Sequence, residues 1–277
     1  MFQYDFMIYA LIGGILISLI CPAIGTFLVL KRYSLMGDTL AHASFAGIAL
    51  GVATGVDPVL SAIAFTSISG VVIEFLSIFL KKYGDLIMSI ILTFSVGIAI
   101  TLISTGKTKT NINSYLFGSI LTITPNDLYI IGILSIVTFI ILFFLFNSLV
   151  YITFDEDGAK IAGIKVKVLN YIFILLVSLT ISISIKIVGI LVISSLIAIP
   201  VATSLQLKKG FKQTFIYSII FGVIDVNLGL VLSFYLDGAP GGFIALSSVA
   251  VLILTILSKS IVNSIKKLKV WYDVHYS

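Results

Sequence analysis

Four ionisable side chains interrupt long apolar runs in this 277-residue chain: Asp38, His42, Glu74 and Asp225, with Asn227 just beyond the last. Asp38 and His42 stand four apart in GDTLAHASFAG, a spacing that stacks two side chains on one helix face, a turn apart. A carboxylate and an imidazole so placed can jointly hold a divalent cation, and mixed oxygen and nitrogen ligation suits manganese, iron or zinc better than calcium or copper(I). The same spacing serves a structural hydrogen bond between the two groups equally well. Asp225 and Asn227 offer further oxygen ligands, or an acid packed against backbone or serine hydroxyls. Glu74 lies seven residues from Lys81, close enough to snorkel to an interface.

The sequence holds no HExxH helix, GxSxG turn or phosphate-cradling GxxxxGK[ST], so an enzyme acting through one of those motifs is excluded and any ATP would bind another chain. The lone Cys21 forms no internal disulfide and reads as a small packing residue. No permanently bound cofactor is expected.

The elements that must position these groups are membrane helices. Hydrophobic residues make up 59% of the chain and charged ones 10%, against about 25% charged in ordinary globular proteins. Apolar stretches run over about 6–30, 34–56, 58–80, 86–105, 128–150, 169–186, 188–207, 214–236 and 241–261, each near the ~20 residues that a spanning helix needs. The fold class is therefore all-α: a polytopic integral membrane protein of eight to nine transmembrane helices, forming one domain over 1–277. The segment 113–123 is too short to span and reads as interfacial or re-entrant. Residues 1–5 lack the basic region of a cleavable signal, and the run after them is too long for one.

Counting from Lys31 and Arg32 at a membrane boundary, His42 sits ~15 Å along its helix, close to the midplane of a ~30 Å hydrocarbon core. An ionisable group there costs about 2.5 to 3.5 kcal/mol on insertion scales, so it marks a functional position. The basic residues are strongly asymmetric. Lys31, Arg32, Lys81, Lys82, Lys160, Lys165, Lys167, Lys208, Lys209, Lys212, Lys259, Lys266, Lys267 and Lys269 fall on one side, and Lys107, Lys109 and Lys186 on the other. The majority side is cytoplasmic by the positive-inside rule, which puts the N-terminus outside and the C-terminus inside. The net charge of +5 is spread over these gaps rather than clustered on one face, so nucleic acid is not a partner; membrane lipid is.

Pro22 and Pro200 lie inside apolar runs, where proline can break a membrane helix beside a cavity. Residues 153–167, TFDEDGAKIAGIKVK, form a polar cytoplasmic insertion. Its acidic start and the apolar Ala159, Ile161, Ala162 and Ile164 fit a short amphipathic helix, and a solvated loop fits as well.

The block GTFLVLKRYSLMGDTLAHASFAGIALG, Gly25 to Gly51, resembles the permease subunit of the bacterial ABC importers for manganese, zinc and iron; Gly37, Asp38 and His42 match its recurring motif. The insertion, VGILVISSLIAIPVATS (188–204) and GAPGGFIALSSVAVL (238–252) carry the likeness to the end of the chain. Phe45-Ala46-Gly47 stands where that family has Leu-Pro-Gly, which softens the helix break expected at Gly47. The resemblance implies a type II ABC importer-like permease in a bacterial plasma membrane, acting as a dimer, identical or of close homologues. It also implies two cytoplasmic ATPase subunits that bind ATP, and an extracytoplasmic metal-binding protein above. Residues 153–167 would be the coupling helix, with Asp155, Glu156, Ala159, Ala162, Gly163 and Ile164 docking on the ATPase. Asp38 and His42 would face the path of a manganese, zinc or iron ion that the loops at Asp57, Asp127 and Asp237 receive.

Other classes fit the isolated residues. A secondary transporter or channel would use Asp38, Asp225 and Glu74 as an ion relay without ATP. An intramembrane enzyme would pair Asp38 with Asp225, and a siderophore or cobalamin permease would need a wide cavity without an ionic site.

Overall fold

The computed structural model describes residues 4–80, 83–106, 113–119 and 123–276, and their regular structure is all helical. In chain order the helices are α1 (Asp5–Leu30), α2 (Ser34–Thr54), α3 (Pro58–Phe79), α4 (Gly84–Ser104), α5 (Asn113–Phe117), α6 (Pro125–Phe154), α7 (Glu156–Ile161), α8 (Val166–Val188), α9 (Ile190–Gln206), α10 (Phe211–Tyr235) and α11 (Pro240–Tyr276). Eight are long and apolar enough to cross a bilayer, and α9, also apolar, has 17 residues. All nine apolar stretches are therefore helices, so the backbone amides that lipid could not satisfy are bonded within each segment.

Local chemistry sets the helix boundaries. Asp57 caps α3, accepting from the Val59 and Leu60 amides at 3.0 and 2.9 Å, with Pro58 in the first turn where its missing N–H costs nothing. Thr124 and Asp127 form a reciprocal capping box at the start of α6. Gly189 alone separates α8 from α9, at φ 83°. The short segment expected at 113–123 is helical over α5, which packs on α8, α9 and α11; residues 120–122 of it lie outside the described residues, as do Lys81, Lys82, Lys107 and Lys109.

The interior is built from α1, α2 and α8, whereas α4, α6, α10 and α11 keep most of their surface outward. α2 packs on α3, α4, α8 and α9; α10 packs on α1, α9 and α11. No helix breaks at the expected prolines. α1 runs unbroken through Pro22, whose ring lies against Gly222 of α10, while the Thr26 hydroxyl donates to the Pro22 carbonyl at 2.9 Å. α9 runs unbroken through Pro200, with Thr203 and Ser204 hydroxyls bonded to the carbonyls of Ile199 and Val201. The prolines deprive the Ser18 and Leu196 carbonyls of an amide partner, whereas these hydroxyls bond other carbonyls of the same turns; both helices stay continuous within their packing against neighbouring helices. α2 is likewise continuous at Gly47. A Cβ there would stand 2.7 Å from the Ala62 Cα and the Ser61 carbonyl, so this glycine brings α2 against α3 instead of ending a helix.

The two ends of the bundle are tied differently. At the end carrying Lys31, the Lys31 ammonium donates to the Asn170 Oδ1 at 2.9 Å and lies 5.4 Å from the centre of the Phe173 ring, joining the α1–α2 elbow to α8. At the other end, Lys186 of α8 pairs with Asp127 of α6 at 2.6 Å, both largely shielded.

Candidate metal centre

From Met36 to Ala49 every residue of α2 is buried except two, Asp38 and His42. A helix facing lipid would show the reverse pattern, since apolar side chains would be exposed and acids hidden. The buried neighbours explain the orientation. Met36, Leu40, Ala41, Phe45 and Ile48 belong to the core, and with the rest of α2 packed against four helices only the Asp38–His42 stripe is left free. Their side chains keep 42% and 26% of their surface, and Asp38 Oδ1 lies 3.8 Å from His42 Nε2. That separation is too long for a hydrogen bond, so the two are not satisfying one another.

α9 forms the adjoining wall. Ser194 donates to Asp38 Oδ1 across 3.5 Å. Along α9, Leu191, Ser194, Ser195, Ala198, Ile199, Ala202 and Leu205 keep some exposure while Val192, Ile193, Leu196, Ile197 and Val201 are buried. Helical spacing makes the first set one stripe, mostly small or hydroxylated, continuing from Asp38 toward the Lys31 end. Among the described residues no three His, Cys, Asp or Glu side chains gather, so one chain offers this pair and Ser194 as ligands.

The other candidates part from this face. Asp225 is fully buried in α10, and neither carboxylate oxygen has a hydrogen-bond partner; the neighbouring Ser248 hydroxyl is donated to the Ile244 carbonyl at 2.9 Å. The Asn227 amide donates to the Val223 carbonyl of its own helix at 2.7 Å. Because α2 and α10 do not pack on one another, Asp225 and Asn227 do not join Asp38 and His42, and the paired-acid arrangement does not form. Glu74 does not snorkel: it is 5% exposed and turned toward Asn170 and Lys31. Burial pulls the Lys31 ammonium below its ordinary range, an effect that the Glu74 charge opposes.

Of the three acids expected to receive an ion, Asp57 caps α3 and Asp127 is held by Thr124 and Lys186. Both are structural. Asp237 sits at φ 49° after α10 and lines a cavity of about 320 Å³ with Phe6, Ser119 and Pro240.

The insertion is shorter as a helix than expected. α6 continues to Phe154 and α8 begins at Val166, leaving the six-residue α7 and a turn. Asp155 caps α7 through the Gly158 amide at 2.8 Å. Lys160 bridges Glu156 and Asp157 at 2.8 and 2.9 Å, and these two acids hold its ammonium above the usual range. Ala159 faces inward, packed with Ile152 and Val166, with Ile164 at the edge. Gly163 closes the turn at φ 81°, the left-handed region that side chains avoid. The outward surface is Asp155, Glu156, Ala162 and above all Ile161, 89% exposed at the tip. The apolar set expected on one face of an amphipathic helix thus divides, Ala159 and Ile164 inward and Ile161 and Ala162 outward; Ser194 carries no sequence signal beyond its place in VISS.

A family model described as ABC 3 transport family matches residues 3–259. A probable metal transport system membrane protein of Treponema pallidum is 49% identical, over 92% of this chain and 96% of that protein. The high-affinity zinc uptake system membrane protein ZnuB of Buchnera aphidicola is 33% identical over 90% and 97%. Among solved structures, PsaBC from Streptococcus pneumoniae in complex with Fab superposes with a TM-score of 0.81 at 27% identity, covering 91% of each chain.

Proposed function

Because the chain belongs to the ABC 3 transport family, we propose that it is the permease subunit of an ATP-driven importer for a divalent transition metal ion: manganese, zinc or iron. The observation that carries this reading is the inverted burial of α2, where an acid and an imidazole are the accessible groups in an otherwise buried stretch. Metal-transport and zinc-uptake membrane proteins among its relatives support the class of cargo.

In this reading Asp38 and His42 line the path. As the ion sheds water, the Asp38 carboxylate and a neutral His42 nitrogen replace part of its hydration, with the Ser194 hydroxyl beside them. Two strong ligands per chain hold an ion incompletely, and a second permease copy presenting the same face would supply two more. A site that is never closed by one chain lets the ion leave again, as conduction requires. The concentration of basic residues at the Lys31 end supports a cytoplasmic location for that end, with the N-terminus outside and the C-terminus inside. There α7 meets the ATPase: Ile161 enters a cleft of that subunit, while Ala159 and Gly163 hold α7 in register with α6 and α8. Closure of the two ATPases on ATP is passed through α7 to these helices, and an extracytoplasmic metal-binding protein loads the opposite mouth.

The test is metal uptake by cells carrying the permease with its cognate subunits. Asp38→Ala and His42→Ala are each expected to lower uptake to background while the assembled complex is still recovered; uptake at the unsubstituted level in both retires the site. Recovery of an ATPase subunit with the permease separates this reading from an ATP-independent transporter.

A further inference from the structure

Between α6 and α10, both packed on α1, an open groove runs along the surface of the bundle. It consists of two adjoining cavities of about 420 and 380 Å³ that share Phe146, Asn147 and Lys212 in their walls. Its floor is aromatic: Phe146 packs on Phe211 and Phe215 at 5.7 and 5.2 Å between ring centres, and all three surround Phe27 of α1. Phe139, Phe143 and Ile216 extend it toward the bilayer centre. No acid is among the lining residues.

Two polar groups in this apolar groove lack protein partners. Asn147 is exposed on α6, seven residues before the helix ends at Phe154, which places it ~10 Å into the span at 1.5 Å per residue. Among the described residues nothing bonds its amide, although an unsatisfied amide facing hydrocarbon is strongly unfavourable. Lys212, exposed in the first turn of α10, likewise has no acid beside it. A cation at the polar rim, an amide below it and an apolar slot beneath are complementary to one kind of molecule.

We propose that this groove binds an anionic phospholipid. The phosphate sits on Lys212 and the Gln213 amide, the glycerol esters accept from Asn147, and an acyl chain runs along Phe143 and Ile216. Basic pockets between membrane helices on the cytoplasmic side take anionic headgroups in this manner. The position gives the lipid a consequence: Phe154, the last residue before the α7 turn, packs its ring on Phe211 at 5.7 Å, so the occupied groove braces the helix that leads into α7. The site depends on the membrane location of these helices and not on the identity of the cargo.

The experiment uses the purified permease with its ATPase subunits, stripped of lipid and titrated with phosphatidylglycerol or phosphatidylcholine of identical chains, bound lipid being counted by native mass spectrometry. Phosphatidylglycerol is expected to be retained about fivefold over phosphatidylcholine, the factor equivalent to about 1 kcal/mol per basic side chain at a membrane surface. Lys212→Gln should bring that ratio to about one, Lys212→Arg and the control Lys208→Gln should preserve it, and Asn147→Leu should weaken both lipids. Millimolar inorganic phosphate should not displace the lipid; displacement would assign the site to free phosphate and overturn the proposal. An unchanged ratio in Lys212→Gln would also overturn it. So would a benzophenone at position 143 that cross-links to a second permease copy rather than to lipid.

Discussion

Among the acids inside membrane helices, Asp38 and Asp225 are treated by the fold in opposite ways. Asp38 stands on the accessible stripe of a helix that is otherwise buried, four residues from His42 and beside Ser194. Asp225 stands on the buried stripe of a helix that mostly faces outward, with both oxygens unpartnered. Depth in the membrane does not by itself mark a transport residue; what separates the two is whether surrounding helices leave the group a way to meet water or an ion. Asp38 keeps accessible surface, which the proposed function needs if it is to meet a cation, whereas Asp225 is buried and carries the cost of an unmet polar group, about 1–3 kcal/mol or more.

Substitutions at these positions separate the two environments by measurement. The largest expected effect is on uptake: His42→Ala lowers metal accumulation at least a hundredfold, and Asp225→Asn leaves it within about threefold, measured side by side at equal permease level. Equal losses in both would erase the distinction. Next comes Ile161→Asp on α7. If the exposed isoleucine is buried against the ATPase, losing about 1.5–3 kcal/mol of apolar burial reduces ATPase co-purification tenfold or more, and unchanged recovery would show that the tip is free. A smaller effect follows at Asp225 itself, where Asp225→Leu removes an unpartnered carboxylate and raises the thermal midpoint of the solubilised permease by an amount equivalent to about 1–3 kcal/mol. The smallest concerns Asp127. Asp127→Asn weakens the Lys186 bridge and lowers the midpoint slightly while uptake stays within twofold, which distinguishes a structural acid from a receiving one.

The contrast also marks how far the sequence could be read. Nine apolar stretches became nine helices because hydrocarbon permits little else, and the Asp38–His42 spacing put both groups on one face because helical geometry is fixed. The inside of a helix is another matter. α10 is apolar on all sides, so no periodicity told that Asp225 points into packing, and the acid looked as available as Asp38. Pro22 and Pro200 looked like breaks because the packing around their continuous helices, such as Gly222 against the Pro22 ring, comes from residues distant in sequence. In the insertion the apolar positions were visible, but which of Ala159 and Ile161 faced inward depended on a six-residue helix too short to show a period.

Water access at the two acids tests the central claim most directly. In a Cys21→Ser background, single cysteines at positions 38, 42 and 225 can be exposed to a small, charged, membrane-impermeant thiol reagent in the assembled complex. Rapid labelling is expected at 38 and 42 and none at 225. Labelling confined to a lipid-soluble reagent at 38 and 42, or equal aqueous labelling at 225, would contradict it.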